Sequence, residues 1–307
     1  MRRFRVGFAA GVTIKTMVLM LALGACGQNS ATGSSTQATA TTQSVTTTTS
    51  RAAVEPTEKD YNRNNFDRSA NVDNKWFALT PGKQLVLDGQ VKGDEGTISR
   101  RVVATVTDLT KVIDGVPSAV LWEMDYTDGK LTEVELAFFA QDKYGNVWHM
   151  GEYPEEYEEG KLVKAPAWIA GREGAKAGIS MRATPRVGTS EYAQGYGPKV
   201  NWTDRGRVYK TGQRTCVPAG CYDDVLVIDE NTRDEPDAHQ LKYYASGVGN
   251  VQVGWRGNDP DQEVLKLTKV TQLSPSALAK ARQEALKLDK RAYKNAKGAY
   301  GHLPPAQ

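Results

Sequence analysis

The sequence predicts a mainly β protein: an antiparallel meander forming a curved sheet, sandwich or incompletely closed barrel, followed by one C-terminal amphipathic helix. Three observations predict it. Between about Asn71 and Gln272 short stretches such as TISRRVVATVTD, SAVLWEMDYT and KLTEVELAFFAQ alternate apolar and polar side chains, the period of a strand. Acidic-Gly dipeptides at Asp88-Gly89, Asp114-Gly115, Asp128-Gly129 and Glu159-Gly160 punctuate them, glycine supplying the positive φ that tight hairpin turns need. No helix-length apolar pattern interrupts the series, which argues against a βαβ nucleotide-binding sheet.

Residues 1–25 read as a lipoprotein signal peptide. MRRFR supplies a basic start, and TMVLMLALGA is an apolar run too short to span a bilayer, which takes about 20 residues. Leu23-Gly24-Ala25-Cys26 matches the bacterial lipobox. It implies acylation of Cys26 and a membrane partner through that anchor, on the extracytoplasmic face of the bacterial cell membrane; two or more chains make such anchorage lasting. The bland alternative is an ordinary cleaved signal followed by a chance cysteine. Residues 26–70, rich in Ser, Thr, Ala and Gln, have little to bury and read as a disordered tether.

The body, residues 71–272, is long enough for one sizeable core. Ile98, Val102, Ala104 and Val106 share a face broken only by Arg100. After KLTEVELAFFAQ, the stretch AGREGAKAGISMRATPRVG is Gly-rich and reads as a long loop crossing between halves of the sheet. VNWTDRGRVYK, VLVIDE, HQLKYYAS, NVQVGWRG and EVLKLTKVTQL add five strands, for roughly ten to twelve in all. Cys216 and Cys221 flank a hairpin turn, and outside the cytoplasm such a pair oxidises to a local staple.

Residues 273–307 form the helix and tail. Ser274 is the N-cap, Pro275 takes the first helical position, and Leu278, Ala281, Ala285, Leu288 and Ala292 make a narrow apolar stripe. The segment is strongly basic while the remainder of the mature chain is acidic. The helix therefore lies either on the body or on an anionic envelope surface, and its alanine-rich stripe favours the body.

The stretch ELAFFAQDKYGNVWHMGEY tests the chain for chemistry. Ala137–Gln141 and Val147–Gly151 can pair across a five-residue turn, putting Trp148 and His149 on opposite faces. His149 is a candidate general base with Glu152 or Asp142 as partner, but no nucleophile motif accompanies it, and a packing histidine is the commoner arrangement. EYPEEYEEG reads as a solvated turn. Its Glu152, with Asp125, could otherwise serve as the carboxylate pair of a glycan hydrolase. The three histidines lie in separate contexts, so no metal site is expected. GREGAKAG lacks the phosphate-loop spacing, and no basic, aromatic-interleaved surface suggests nucleic acid. No cofactor is expected.

In order and spacing, PGKQLVLDG, TKVIDGV, FFAQDKYGNVWHMGE, EYEEGKLV, PRVG and KYYASGVG resemble a family of secreted or lipid-anchored, β-rich actinobacterial proteins, over about Asn71 to Gly254. The resemblance implies one folded unit and no particular activity. Members carry an aromatic pair ahead of a PG turn and a WYFGE-like strand; Trp76-Phe77 and VWHMGE stand there in this chain, with His149 where an aromatic is usual.

Two function classes follow. One is a tethered binding module for a small apolar ligand, an envelope component or a partner, with Trp122, Trp148, Trp168 and Trp202 lining or filling its cavity. The other is a hydrolase of envelope glycans. A deep apolar pocket without convergent carboxylates favours the first, and two carboxylates about 5–9 Å apart in a cleft the second.

Overall fold

The computed structural model describes residues 57–93 and 96–307; the signal segment, Cys26 and most of the tether lie outside the described residues. A first meander comprises β1 (Lys83–Gly93), β2 (Gly96–Ile113), β3 (Val116–Thr127), β4 (Lys130–Gln141) and β5 (Val147–Glu158). Short β6 (Lys161–Lys164) and β7 (Trp168–Ile169) pair with β5, and β8 (Lys176–Met181) extends the sheet past it. After β9 (Tyr192–Ala193) and β10 (Gly195–Tyr196) comes a second meander, β11 (Arg205–Val217), β12 (Gly220–Asn231), β13 (Ala238–Ala245), β14 (Gly249–Gly257) and β15 (Val264–Gln272). β1 and β15 pair antiparallel and join the meanders, giving the order β10-β8-β5-β4-β3-β2-β1-β15-β14-β13-β12-β11-β9.

That order explains the curvature. Its two ends, β9 and β10, are consecutive in the chain and separated by Gln194 alone, so the sheet curls until one residue bridges its edges. Among the described residues no continuous ladder closes the gap, and the result is an incompletely closed barrel. The bridge crosses β8 at Gly178, where an added Cβ would lie 2.1 Å from the Gly195 nitrogen. Here glycine is required for close approach.

Three acidic-Gly turns form as the pattern predicts. Asp114-Gly115, Asp128-Gly129 and Glu159-Gly160 have positive φ at both positions, the type I′ arrangement that matches strand twist. Asp88-Gly89 does not turn. It lies within β1, and a Cβ on Gly89 would meet the Val264 carbonyl oxygen at 1.8 Å, so this glycine admits the neighbouring strand. The expected central loop contains β8, which pairs with β5. EYPEEYEEG is mostly strand, with Glu159-Gly160 alone turning. Among the described residues the strands number fifteen, above the expected range, because two-residue pieces pair around the bridge.

The folded part begins ahead of Asn71. Tyr61 and Phe66 set their rings 5.4 and 6.2 Å from Trp148, and the Ser69 hydroxyl donates to the Pro117 carbonyl at 2.6 Å. Aromatic side chains at the end of an otherwise small and polar segment give it something to bury.

Helix α1 (Pro275–Asn295) starts as expected, Ser274 Oγ accepting from the Ala277 amide, and a short α2 (Lys297–Tyr300) follows it. It lies on the convex face of the first meander. Ala285, Leu288 and Ala292 join a core with Val120, Leu136, Phe138, Trp148 and Met150, the outward side chains of β3 to β5. Burying a leucine such as Leu288 contributes about 1.5–3 kcal/mol. The tail ends beside β2, where Thr110 and Gln307 exchange backbone hydrogen bonds of 2.9 and 3.0 Å. No helix among the described residues is long and apolar enough to cross a membrane.

Candidate functional site: the concave face

Opposite parity on the same strands faces inward. β2 presents Arg100, Val102, Ala104 and Val106; β3 presents Asp125, Glu123 and Leu121; β4 presents Glu133, Glu135, Ala137 and Phe139. With inward residues of β1 and β12 to β15 they surround a cavity of about 140 Å³, open at its mouth. A cavity of that order takes up a benzene-sized apolar group.

The lining divides by strand and by rung. Leu85 and Leu87 of β1 and Val102, Ala104 and Val106 of β2 form an apolar wall. On β3 and β4 the cross-strand pairs run Asp125 with Glu133, Glu123 with Glu135, then Leu121 with Ala137. Successive inward rungs are about 6.7 Å apart, so two acidic rungs give way directly to an apolar one.

Six carboxylates line the cavity, those of Glu123, Asp125, Glu133, Glu135, Glu230 and Glu263. Three have cationic partners. Arg100 holds Asp125 at 2.6 Å and Glu263 at 2.8 Å, and Lys242 holds Glu230 at 2.7 Å. Gln240 and Gln194 donate to Glu263 and Glu230, each at 2.7 Å. Lys83 also borders the space, but its ammonium donates to the carbonyls of Gly247 and Val248.

Glu123, Glu133 and Glu135 have no such ion pair among the described residues. Like charges directly opposite one another oppose ionisation, and burial adds to the effect. Burial, with Asp125 close by, pushes the Glu123 carboxyl up to about 8. Burial and Glu123 push Glu135 up to about 7. Burial, Asp125 and Glu135 carry Glu133 well above the usual carboxylate range. Glu133 and Glu135 hydrogen-bond to each other, which requires a proton on one of them. For Glu230 burial acts upward, but the Lys242 ammonium outweighs it and the carboxyl stays below its ordinary value.

His149 is buried in an aromatic box. It stacks on Phe139 at 4.8 Å and meets Trp168 and Trp202 edge-on at 4.9 and 5.3 Å. Its Nε2 lies 3.8 Å from the Glu152 carboxylate, beyond hydrogen-bond reach. Burial pushes the imidazole well below its ordinary value, so the ring is neutral at physiological pH. The box supports the sheet's bridge, since a Cβ on Gly195 would strike Trp168 at 2.5 Å.

Asp142, the other proposed partner of His149, serves the turn. It accepts from the Tyr144 and Asn146 amides and from the Trp148 indole N–H, each at 2.9 Å. That network accounts for the D-x-x-G-N-x-W spacing as turn chemistry.

Of the four tryptophans, Trp202 lines the cavity, and Trp168 packs against it at 4.6 Å. Trp122 and Trp148 belong to the convex core beneath α1. The physical reason is parity: each alternates with an inward residue, Trp122 between Leu121 and Glu123, and Trp148 before His149. Asp125 and Glu152 lie two strands apart; in register, Glu152 pairs with Ala137 and Asp125 with Glu133. On ideal strand spacing their Cα atoms are roughly 16 Å apart. Glu123, Glu133 and Glu135, which sequence reasoning passed over, are the neighbours across one strand gap. Cys216 and Cys221 are directly opposed in the β11–β12 hairpin and form a disulfide.

No family model matches the chain, and no curated protein matches it. Two solved structures are similar in part. One, described as an exported protein with a YmcC-like fold from Bacteroides fragilis, shares 14% identity over 64% of this chain and 99% of its own, with a TM-score of 0.38. The other, described as a lipoprotein from Parabacteroides distasonis, shares 13% identity over 65% of this chain and 100% of its own, with a TM-score of 0.32. Likenesses this distant carry no function across.

Proposed function

We propose that the chain is an extracytoplasmic lipoprotein, held to the bacterial cell membrane through acylated Cys26, whose curled sheet is a binding module for a small molecule with a substantial apolar part. The observation that carries this reading is the open cavity, walled by Leu85, Leu87, Val102, Ala104 and Val106. Apolar side chains around empty space gain by excluding water with a ligand. The lipobox and the oxidised Cys216–Cys221 pair support placement outside the cytoplasm.

The full chain carrying Cys26→Ser, exported and purified without detergent, tests the binding reading. It should bind the neutral apolar dye Nile red with a blue-shifted emission, and native mass spectrometry should show a co-purifying small molecule. Ala104→Trp and Ala137→Trp fill the cavity and should abolish dye binding with unfolding temperature unchanged. Failure of the unsubstituted cavity to take up any apolar probe contradicts the reading.

One observation favours a glycan hydrolase as the second reading: Glu123 and Glu135 face each other directly, as an acid and its partner carboxylate would. Turnover of envelope glycan fragments that either Glu123→Gln or Glu135→Gln abolishes would establish it over the first.

A further inference from the structure

We propose that the ligand of this cavity is a single-chain amphiphile bearing a cationic nitrogen, its chain along the β1–β2 wall and its amine against Glu123, Glu133 and Glu135. The inference rests on the binding-module reading and adds the charge of the ligand to it.

The first argument is the imbalance of fixed charge. Arg100 and Lys242 are committed to Asp125, Glu263 and Glu230. Three further carboxyls remain on two adjoining rungs. Burying one carboxylate without a counter-charge is strongly unfavourable, and burying three together more so. A fold gains nothing by placing them there; Gln at any of the three would keep the hydrogen bonding and remove the repulsion.

The second argument is the state of individual atoms. Glu123 Oε2, Asp125 Oδ1 and Glu133 Oε2 are buried and have no hydrogen-bond partner among the described residues. Glu123 and Glu133 are each only 5% exposed and both border the cavity, so these oxygens are withheld from solvent next to empty space. Buried acceptors are almost always satisfied, and a missing partner on a cavity wall points to what the cavity receives. An ammonium group supplies up to three N–H donors and the missing positive charge together.

The third argument is the adjoining surface. A bare metal ion would need convergent ligands, and among the described residues no group of three or more His, Cys, Asp or Glu side chains is arranged to hold one. The acidic rungs also abut Leu121, Ala137 and the apolar β1–β2 wall, which would be wasted on an ion but suit an alkyl chain.

The test displaces Nile red from the full Cys26→Ser chain with dodecylamine, dodecanol and dodecanoate, below their micellar concentrations and at neutral pH. The amine should bind at least about tenfold tighter than the alcohol, and the carboxylate weakest, a charge-assisted hydrogen bond being worth that much. The preference should persist in about 0.5 M salt, because a buried pair is little screened. In the triple variant Glu123→Gln, Glu133→Gln, Glu135→Gln the amine should fall to the affinity of the alcohol, while the alcohol keeps its own; retained alcohol binding shows that the cavity is intact. Equal affinity for amine and alcohol in the unsubstituted chain overturns the proposal and leaves the binding module standing, as does an amine preference that survives the triple substitution. Binding by none of the three defeats the binding module and the proposal with it.

Discussion

The two faces of the first meander bury charge in different ways. On the convex face Lys111 meets Asp289 of α1 at 2.6 Å, and Asp289 also accepts from the Tyr300 hydroxyl at 2.8 Å and the Ala306 amide at 3.2 Å. Glu155 takes Arg291 at both oxygens, with Tyr153 and Tyr157 each donating at 2.6 Å. On the concave face, one residue along the same strands, Glu123, Glu133 and Glu135 lie buried beside one another in no ion pair among the described residues. Charges buried to hold the helix come with partners from the chain itself. On the concave face Asp125, Glu230 and Glu263 are paired in the same way, while Glu123, Glu133 and Glu135 are in no ion pair among the described residues, and that contrast distinguishes a site from a scaffold.

The comparison breaks first at Asp289. Asp289→Ala leaves the Lys111 ammonium buried and should destabilise the fold by about 3–5 kcal/mol in denaturant unfolding; a loss within the scatter of surface substitutions would put the two faces on a par.

The concave face should respond with the opposite sign. Between the ordinary carboxylate pKa and the raised values of Glu123 and Glu135, about 8 and about 7, the folded state binds more protons than the unfolded state. Stability therefore falls as pH rises through that window and is greatest below it. Glu123→Gln with Glu135→Gln should gain about 2 kcal/mol near pH 8 and little near pH 5, flattening the profile. The groups facing this pair are Asp125, Glu133, Glu230 and Glu263, with Arg100, Lys242 and neutral His149; the double variant leaves all of them in place. A destabilised double variant at the higher pH would show that a partner had been removed.

The smallest effect sharpens the contrast. Arg291→Ala removes the one cation paired with Glu155 among the described residues but leaves it Tyr153, Tyr157 and Asn295, and Arg291 itself is half exposed. A loss of about 1–2 kcal/mol is expected from unfolding curves; a loss as large as that at Asp289 would mean that neutral donors cannot hold a buried carboxylate there.

Much of the fold was legible in residue order. The β4–β5 hairpin, three acidic-Gly turns, the capped C-terminal helix and the cystine hairpin follow from local chemistry that tertiary packing did not override. Asp88-Gly89 misled because a glycine that admits a neighbouring strand resembles one that turns the chain. KAGISM was masked by the glycines around it, and its pairing with β5 is set by distant residues. The site was harder to see for one physical reason. In WEMD and TEVEL the acidic positions alternate with Trp122, Met124, Val134 and Leu136, the pattern of a strand with one wet face. Alternation separates the two faces of a strand but cannot tell solvent from the lumen of a curled sheet. Arg100, which interrupts an apolar face, was the visible clue: it sits where the acidic rungs begin.

The most direct test of unmatched charge on the concave face is a pH titration of the side-chain carboxyl carbons by NMR, with glutamate labelled at Cδ and the signals assigned by Glu→Gln variants. The account predicts that Glu123 and Glu135 titrate at about 8 and about 7 in the ligand-free protein and return toward the ordinary carboxylate range when dodecylamine binds. Ordinary titration of both in the ligand-free protein would contradict it.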